Sequence, residues 1–547
     1  MKRRQFIKTT SASLTGFALS AQIASAAQAQ ARPNILIIMT DQQPSSAMSC
    51  AGSNELSTPA MDSIAENGVR FDNAYCAYPL CAPSRISMLS GRMPHVFSMV
   101  CNQGKFPSGI PIYGKLLADA GYDCGYVGKW HAVMRESAVD KHGFSWTQNM
   151  ENNRIDSKLP ASCKEFFTMS RNKPFLLVAS FVNPHDICQW ARGDGLPNGS
   201  IGTPPAPEQC PELPVNFEPP DIEPSVIRAF QPTLPNAYPS INWSKDKWRQ
   251  YRWAMGRITE KVDNLIGQVL KSLRDSSLEE NTVILFLSDH GDGYASHRWN
   301  QKNVLYEESV GVPLIISQKG VTSKHVDTTN IVHTGLDLMP TVCDYAGVSI
   351  PANLKGKSLR PLVERKADSL DREFIVTETQ LCDEPIWGRM VRTKKYKYII
   401  YSEGDHREQL FDMETDRGEM KNLAEKSSYS AILNQHRTML STWCKETADT
   451  FAQYLPAITH ASEQDKRAPT NLSRMRITRT ASRELVIYTD SNEKGTIDLL
   501  THDGRSLMRQ SVRSARHIRL ATGHLAHGSY TVRLRTGGRD LISAVAL

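Results

Sequence analysis

Oxygen-bearing side chains follow two short apolar runs of the sequence. Asp41 and Gln42 come directly after one run, and Asp289 with His290 follows another. Carboxylate and amide oxygens are the ligands that hard divalent cations prefer, with Ca²⁺ favoured here and Mg²⁺ as the alternative. Histidine is a softer ligand, so His290 either binds the cation or only borders it. These residues predict a site for one hard divalent cation.

A cysteine lies in a pentapeptide of unusual composition. Residues 81–85 are Cys-Ala-Pro-Ser-Arg, and a lone match of this length occurs by chance. A free cysteine is also most often a small buried residue without chemistry. The pentapeptide gains weight from the motifs that follow it in order: Gly-Lys-Trp-His at 128–131, Asn-Pro-His-Asp at 183–186, Asp-His-Gly-Asp at 289–292, and Lys302, 13 residues after Asp289.

With these motifs in this order, the chain from Asn34 to about Cys444 resembles the sulfatase family of the alkaline phosphatase superfamily. In that family, Cys-x-Pro-x-Arg is the signal for converting its cysteine to formylglycine (3-oxoalanine). The resemblance therefore implies a sulfuric ester hydrolase whose nucleophile derives from Cys81, matured by a formylglycine-generating enzyme. Hydrated formylglycine carries two hydroxyl groups: one attacks sulfur, and the other later expels sulfate, which a plain cysteine or serine cannot do.

The resemblance also implies roles for individual residues. Lys129 steadies the nucleophile and the sulfate, His131 assists breakdown of the sulfated intermediate, and Lys302 binds sulfate, while Arg85 belongs to the catalytic set. The implied cation ligands are Asp41, Gln42, Cys81, Asp289 and His290. The family often has two adjacent aspartates at the first of these positions, so Gln42 lowers the ligand charge by one.

The chemistry of sulfate esters explains why such residues are needed. The ester is anionic and repels an anionic nucleophile, so a cation and lysines must first neutralise the sulfuryl oxygens. The alkoxide of a sugar is a poor leaving group and requires a general acid. His185 is the first choice for this acid, and Lys302 is the competing one.

Substrate contacts are expected after His185, in the proline-rich segment 197–239, which holds 12 of the 30 prolines, and near residues 297–299. An arginine can pair with a uronate carboxylate, and an aromatic ring can stack on a sugar. Local packing and salt bridges are the competing explanation. The candidates are Trp190, Arg192, His297 and Arg298. They suit a sulfated polysaccharide or oligosaccharide.

Buried strands alternate with helical patterns through most of the chain, which predicts an αβα sandwich with a large, mainly parallel sheet. The strands are expected at 33–41, 175–181 and 282–287, and the helices at 59–67, 112–120, 248–273 and 335–345. The family resemblance implies the alkaline-phosphatase-like form of this sandwich. Ligands of such sheets gather at the carboxyl ends of strands, where the polar clusters lie.

Four segments are predicted from composition. They are a twin-arginine signal peptide at 1–31, a catalytic domain at 32–373, a subdomain with a small antiparallel sheet and a helix at 374–460, and a β-sandwich-like module at 470–547. The last segment resembles the C-terminal sorting modules of bacterial cell-surface secretion. A carbohydrate-binding module and a purely structural one are the alternatives.

Arg3 and Arg4, followed by a weakly apolar stretch and an alanine-rich run, predict export through the twin-arginine machinery to the periplasm, cell surface or medium. The other apolar runs are far shorter than the ~20 residues of a membrane span. The net charge of +7 comprises +4 in residues 1–31 and +7 in residues 470–547, which leaves −4 for the rest. This distribution argues against a basic steering field, and no nucleic-acid partner is expected. Eleven cysteines leave disulfide pairing open.

Two other functions compete with the sulfatase hypothesis. One is a phosphodiesterase or phosphonate monoester hydrolase of the same superfamily, which shares the Cys-x-Pro-x-Arg motif. The other is a non-catalytic surface protein that binds sulfated glycans. The second alternative predicts lost catalytic residues, and none of the motif residues is lost.

Overall fold

The structure, a computed structural model, describes residues 32–104, 106, 109–132, 134–135, 137–148, 155–231, 240–381, 385–456, 475–479, 484–489, 495–501, 505–512, 517–521, 529–536 and 539–546. The chain folds as two units, Met1–Thr459 and His460–Leu547. The twin-arginine segment predicted at residues 1–31 lies outside the described residues.

The first unit alternates strands and helices. Its strands are β1 (Asn34–Asp41), β2 (Gly68–Phe71), β3 (Ala74–Tyr75), β4 (Asp123–Gly128), β5 (Trp146–Gln148), β6 (Phe175–Pro184), β7 (Thr282–Ser288), β8 (Leu314–Gln318), β9 (His325–Asp327), β10 (Val332–His333), β11 (Phe374–Leu381), β12 (Ile386–Thr393), β13 (Tyr396–Tyr401) and β14 (Glu408–Asp412). Its α-helices are α1 (Pro59–Glu66), α2 (Cys81–Ser90), α3 (Tyr113–Asp119), α4 (Val139–His142), α5 (Leu159–Thr168), α6 (Ile187–Arg192), α7 (Ser225–Phe230), α8 (Lys245–Asp275), α9 (Glu307–Val310), α10 (Thr334–Ala346), α11 (Arg360–Val363) and α12 (Ser430–Thr447).

Eight of these strands form one mixed sheet in the order β5-β4-β6-β1-β7-β8-β2-β9. The five strands from β5 to β7 are mutually parallel, and β8 runs antiparallel to both of its neighbours. The expected large, mainly parallel sheet is therefore confirmed, and its three predicted strands correspond to β1, β6 and β7.

The central strand β1 shows why the apolar run in the sequence is continuous. Ile35 and Ile37 pack on one face of the sheet, whereas Leu36 and Ile38 pack on the other. Helices α2, α3 and α10 cover the first face, and α1, α5 and α8 cover the second. A strand buried on both faces carries apolar residues at every position, because successive side chains point to opposite sides.

The parallel register brings the polar ends of the central strands together. Asp41 pairs with Pro184 on β6, and Thr40 pairs with Ser288 on β7. On the next strand outward, Gly128 pairs with Ser180. The segments that follow β1, β4, β6 and β7 therefore leave the sheet at the same edge.

Glycines are required at two of the motifs. Gly128 ends β4 with a φ of 92°, and a Cβ there would lie 2.1 Å from the Ser180 carbonyl oxygen. A Cβ on Gly291 would lie 2.0 Å from the carbonyl oxygen of Glu308. Neither position accepts a side chain without moving backbone, which explains the glycine in each motif.

A smaller antiparallel sheet, β11-β12-β13-β14, follows the main sheet in sequence. Helix α12 packs on it through Leu433, Leu440 and Trp443, which join Val376 and Val391 of the sheet in one apolar cluster. The sheet and helix predicted for the segment 374–460 are thus both present.

The second unit is all-β in its described part. Its strands are β15 (Met475–Arg479), β16 (Glu484–Thr489), β17 (Gly495–Leu500), β18 (Ser506–Val512), β19 (His517–Ala521), β20 (Ser529–Thr536) and β21 (Arg539–Ala546). They form two antiparallel sheets, β15-β16-β19 and β18-β17-β20-β21. Alternate apolar residues of both sheets, including Leu485, Ile487, Ile497 and Val532, make a common core.

Across the described ranges, no helix combines the length and the apolar character that crossing a membrane requires. No disulfide bond joins two of the cysteines that the structure describes.

Candidate active site

Cys81 is the first residue of helix α2, and Arg85 lies one turn further along the same face. All ten residues of this helix are buried. The amide of Ala82 is satisfied by Asn102, whose Oδ1 accepts it at 3.1 Å. The N-terminus of a helix carries a partial positive charge, so Cys81 lies where an anion is stabilised.

Arg85 connects four parts of the site through its guanidinium. Its Nε donates to Asp289 Oδ2 at 2.8 Å, and one terminal nitrogen donates to Asp41 Oδ2 at 3.0 Å. The other terminal nitrogen donates to the Lys129 carbonyl at 2.9 Å and to Ser180 Oγ at 2.8 Å. Arg85 therefore fixes the ends of β1, β4, β6 and β7 relative to helix α2.

Arg85 contacts the Oδ2 atoms of Asp41 and Asp289 and leaves their Oδ1 atoms uncontacted. Oδ1 of Asp41 lies 3.6 Å from the Cys81 sulfur, and Oδ1 of Asp289 lies 3.7 Å from His290 Nε2. Burial and the nearby thiol raise the pKa of Asp41, but the surrounding cations, led by Lys129, hold it well below its ordinary value. Burial and the neighbouring Asp41 raise the pKa of Asp289 to about 6.

These atoms are spaced as ligands of a single cation would be. One ligand atom from each of Asp41, Cys81, Asp289 and His290 lies within 4.8 Å of all the others, and all four residues are buried. His290 Nδ1 lies 2.8 Å from the Gly291 carbonyl, which assigns the proton to Nδ1 and leaves Nε2 as an acceptor. The donor set fits a hard divalent cation with one nitrogen ligand.

Gln42 lies beside this group with a φ of 69° and is fully buried. Its Oε1 accepts a hydrogen bond from Lys302 Nζ at 2.8 Å, and its Nε2 donates to Asp292 Oδ2 at 2.7 Å. Its backbone amide donates to Asp289 Oδ1 at 3.2 Å.

Two ammonium groups and an imidazole nitrogen converge on the Cys81 sulfur. Lys302 Nζ lies 3.3 Å away, His290 Nε2 3.2 Å and Lys129 Nζ 3.7 Å. Burial opposes ionisation of the thiol, but these charges, led by Lys129, lower its pKa well below the ordinary value. An anion is stabilised at this position.

His131 and His185 both lie close to the Cys81 thiol and interact with it. His131 follows the Lys129 motif and has a φ of 44°. Burial and the ammonium groups of Lys302 and Lys129 lower the pKa of His185 to about 4. The structure therefore brings the residues of the predicted catalytic and cation-binding sets together in one group of side chains around Cys81.

Asp156 holds the segment that leads to His185, and sequence reasoning missed it. Its carboxylate accepts the backbone amides of Val182 and Asn183 at 2.7 and 2.8 Å. Burial raises its pKa to about 7 despite these two hydrogen bonds. No motif marks this residue; only the fold shows that it lies beneath the end of β6.

Ser180 and Asp292 were also missed as site residues. Ser180 is a strand residue whose hydroxyl contacts Arg85, which no local pattern indicates. Asp292 lies within the Asp-His-Gly-Asp motif, so its position in the sequence was the available signal. All three missed residues act on backbone or on other site residues.

The four residues predicted to contact substrate lie in different surroundings. Trp190 is half-buried and packs near Tyr251, with the ammonium of Lys247 4.0 Å above its ring. Arg192 is exposed and donates to Asp194 Oδ2 at 2.7 Å. These two residues of α6 remain candidates for substrate contacts.

His297 does not fit the predicted role. Its side chain is fully buried, and its ring stacks on Tyr306 with 4.0 Å between the ring centroids. Local packing accounts for a side chain in this position, so His297 is not supported as a substrate contact. Arg298 is exposed, pairs with Glu218 and lies over the ring of Phe217, so local pairing accounts for its contacts.

The chain is similar to known proteins in both sequence and structure. A family model described as Sulfatase matches residues 33–348, and one described as N-sulphoglucosamine sulphohydrolase, C-terminal, matches residues 295–446. The chain is 32% identical to a Delta 4,5-hexuronate-2-O-sulfatase of Bacteroides thetaiotaomicron, over 78% of this chain and 92% of that protein. It is 28% identical to an ulvan-active sulfatase of Formosa agariphila, over 77% of this chain and 82% of that protein.

Among solved structures, a 2-O GAG sulfatase superposes with a TM-score of 0.68 at 30% identity, covering 77% of this chain and 94% of that one. A phosphonate monoester hydrolase of Agrobacterium radiobacter superposes with a TM-score of 0.62 at 18% identity, covering 76% and 96%. The second likeness shows a shared fold alone.

Proposed function

This chain belongs to the sulfatase family of the alkaline phosphatase superfamily and is a sulfuric ester hydrolase, and we propose that it desulfates sulfated polysaccharides or oligosaccharides with formylglycine derived from Cys81. The observation that carries the proposal is the convergence of Lys129, Lys302 and His290 on the Cys81 sulfur at the N-terminus of α2. The thiol in the structure stands where the formylglycine hydroxyl groups would be. When formed, that group supplies a hydroxyl nucleophile and a second hydroxyl that releases sulfate.

The residues around Cys81 form a site for a sulfuryl group. The ammonium groups of Lys129 and Lys302 lie 3.7 and 3.3 Å from the Cys81 sulfur, at the N-terminal end of α2. Together these groups offset the negative charge of the sulfuryl oxygens. Arg85 is occupied by Asp41 and Asp289, so its role is to hold the carboxylates rather than to bind sulfate.

A hard divalent cation, Ca²⁺ with Mg²⁺ as the alternative, is proposed at Asp41, Gln42, Cys81, Asp289 and His290. The Oδ1 atoms of the two aspartates, which Arg85 leaves uncontacted, and the acceptor Nε2 of His290 support this assignment. When bound, the cation polarises the sulfate ester and neutralises its charge. Arg85 and Lys129 keep the ligand oxygens of the carboxylates in place.

Two residues are placed to protonate the leaving oxygen, and for His185 the bound anionic ester must first raise its pKa from about 4. His185 and Lys302 both lie against Cys81. His185 stays the first choice for the general acid, because its ring contacts the nucleophile position without holding a cation ligand. Lys302 also holds Gln42 Oε1, so its ammonium has a second task.

The substrate class is supported by the relatives and by the surface beside the site. The Delta 4,5-hexuronate-2-O-sulfatase and the ulvan-active sulfatase are named for sulfated carbohydrates. Trp190 and Arg192 follow His185 on α6 and offer an aromatic face and a guanidinium to a sulfated, uronate-bearing sugar.

We also propose how the chain is exported and matured and what its C-terminal module does. The basic N-terminal segment supports twin-arginine export to the periplasm, the cell surface or the medium, after maturation of Cys81 in the cytoplasm. Residues 470–547 are proposed as an accessory module for sorting or glycan retention. A chain ending near residue 465 should keep its turnover on a small sulfate ester and lose surface attachment or retention on polymer.

The test of function uses the purified mature enzyme. Peptide mass spectrometry should find formylglycine at position 81, and a panel of defined sulfated saccharides should identify the ester that is cleaved. The same preparation should hydrolyse sulfate esters faster than phosphate diesters or phosphonate monoesters. Full turnover with an unmodified thiol at position 81, or a preference for phosphonates, would contradict the proposal.

A further inference from the structure

Gln42 is held between a group that only accepts hydrogen bonds and a group that only donates them. The Asp292 carboxylate accepts from Nε2 at 2.7 Å, and the Lys302 ammonium donates to Oε1 at 2.8 Å. An amide between a carboxylate and an ammonium has one satisfactory orientation, because exchanging its oxygen and nitrogen would break both hydrogen bonds. The oxygen of Gln42 is therefore turned to the side of Lys302 and the Cys81 sulfur.

Asp292 is itself fixed by two further donors. Its Oδ1 accepts the Tyr251 hydroxyl at 2.7 Å and the Tyr294 amide at 2.8 Å, and the side chain has no exposed surface. Burial raises the pKa of Asp292, and the hydrogen bonds from Gln42, Tyr294 and Tyr251 act in the opposite direction. The carboxylate thus lies in one orientation behind Gln42.

Gln42 and Asp292 together place a negative charge at position 292 instead of at position 42. With glutamine at position 42, the cation ligands carry one negative charge fewer than with a carboxylate there. Asp292 places a buried carboxylate directly behind that glutamine, 2.7 Å from its amide nitrogen. A carboxylate at position 42 would face Asp292 with like charge, which is costly in a buried site.

We propose that Asp292 is a positioning residue of the cation site, which orients the Gln42 oxygen toward the cation and supplies the negative charge that position 42 lacks. The inference rests on the proposed function, because it takes Gln42 to be a cation ligand. Partners that hold metal ligands in place typically change metal affinity by about 10- to 100-fold when they are removed.

The test exchanges carboxylate and amide side chains at positions 42 and 292 and measures the effect on calcium affinity. Calcium titrations by isothermal calorimetry, with calcium-dependent melting as a second readout, would compare the wild-type full chain with Asp292→Asn, Gln42→Glu and the double variant. Asp292→Asn should bind calcium about tenfold more weakly or worse. The double variant returns the charge to position 42, where the new carboxylate can accept a hydrogen bond from the new amide at position 292, and should bind within about threefold of wild type.

Gln42→Glu alone should melt at a lower temperature without calcium, because two carboxylates then face each other. Calcium should restore much of that loss. Asp263→Asn is the matched control: Asp263 is a buried carboxylate that accepts the amides of Ala60 and Met61 on the far face of the sheet. It should lower the melting temperature and leave calcium affinity unchanged.

The outcomes separate this inference from the function it rests on. A wild-type enzyme that binds no calcium or magnesium overturns the cation site, and the role of Asp292 with it. Wild-type binding that Asp292→Asn leaves unchanged overturns only the role of Asp292. If Asp292→Asn fails to fold, the double variant provides the test. A calcium affinity of the double variant more than tenfold weaker than that of wild type would contradict the proposed role of Asp292.

Discussion

Two of the buried charge clusters in the described part of the chain have similar composition but differ in how many of their ligand atoms the protein's own cations contact. The catalytic cluster consists of Asp41, Cys81, Arg85, Lys129, Asp289, His290 and Lys302. The anchor cluster consists of Glu307, Glu308, Lys397, Glu419 and the buried His297. Each combines carboxylates, a buried lysine and a histidine, and each contains a group of possible ligand atoms within 4.8 Å of one another.

In the anchor cluster two of the three carboxylates, Glu307 and Glu419, face a cation of the protein. Burial raises the pKa of the third, Glu308, which favours its neutral form. Lys397 Nζ lies 3.0 Å from Glu307 Oε2 and 2.8 Å from Glu419 Oε1. Tyr75 donates to the other oxygen of Glu307 at 2.8 Å. Because Lys397 belongs to β13 and Glu307 to α9, this cluster fastens the smaller sheet to the catalytic body.

In the catalytic cluster the protein's cations hold only one side of each carboxylate. Arg85 takes Oδ2 of Asp41 and Oδ2 of Asp289, and the two Oδ1 atoms face a common point beside Cys81. Buried charge alone therefore does not indicate an active site. What distinguishes the catalytic cluster is that the ligand atoms left uncontacted by Arg85 converge beside the Cys81 sulfur, where two ammonium groups also lie.

The largest expected effect comes from removing the nucleophile. Cys81→Ala should lower turnover by about 10⁴-fold or more, since loss of a nucleophile costs up to ~10⁶ in other hydrolases. The melting temperature should change little, because a small buried side chain is replaced by a slightly smaller one. Steady-state kinetics on a sulfate ester, with circular dichroism as the folding control, checks this; substantial turnover by Cys81→Ala would contradict the assignment.

Removal of the divalent cation should act on the catalytic cluster and spare the anchor cluster. Chelation should lower turnover by about 10²-fold or more, because the Lewis acid for the sulfuryl group is lost. Added calcium should restore it. Metal analysis should find one hard cation per chain, and stoichiometric zinc would contradict the oxygen-donor argument.

The two buried lysines form a matched pair of variants. Lys302→Met should lower kcat by about 10²-fold, because a charge that faces the sulfuryl position is lost. Lys397→Met should instead lower the free energy of unfolding by about 3–5 kcal/mol, because two buried carboxylates lose their cation. Urea unfolding and kinetics on both variants measure the contrast, and equal effects of both variants on both quantities would remove the distinction between the clusters.

The choice of general acid predicts a dependence on the leaving group. If His185 protonates the leaving oxygen, His185→Ala should slow cleavage of a sugar sulfate by about 10²-fold. A nitrophenyl sulfate, whose leaving group needs no proton, should be slowed far less. Equal losses on both esters would assign the proton to Lys302 or to another donor.

The smallest effect is expected from His297→Gln. The side chain is buried in the anchor cluster, so kcat/KM on a sulfated saccharide should stay within about twofold of wild type. Stability should fall by about 1–2 kcal/mol, as for other changes of a buried polar residue. A large rise in KM with unchanged stability would restore His297 as a substrate contact.

The sequence by itself determined the sheet and the contents of the catalytic cluster. Continuous apolar runs predicted β1, β6 and β7, because strands buried on both faces need apolar residues at every position. Motif order predicted Cys81, Lys129 and Lys302, and the structure places both ammonium groups within 3.7 Å of the Cys81 sulfur. Local patterns were sufficient for Cys81, which opens α2, and for Lys129, which directly follows β4, whereas Lys302 was predicted from its spacing to Asp289.

Only the tertiary structure decided which groups hold that cluster in place and which neighbours are excluded from it. Asp156 reaches the amides of Val182 and Asn183 from 26 and 27 residues away, and Asp292 reaches Gln42 across 250 residues. His297 lies in the same stretch of sequence as Lys302 but is buried against Tyr306. Burial and hydrogen-bond partners depend on chain segments that are distant in sequence, so no local pattern records them.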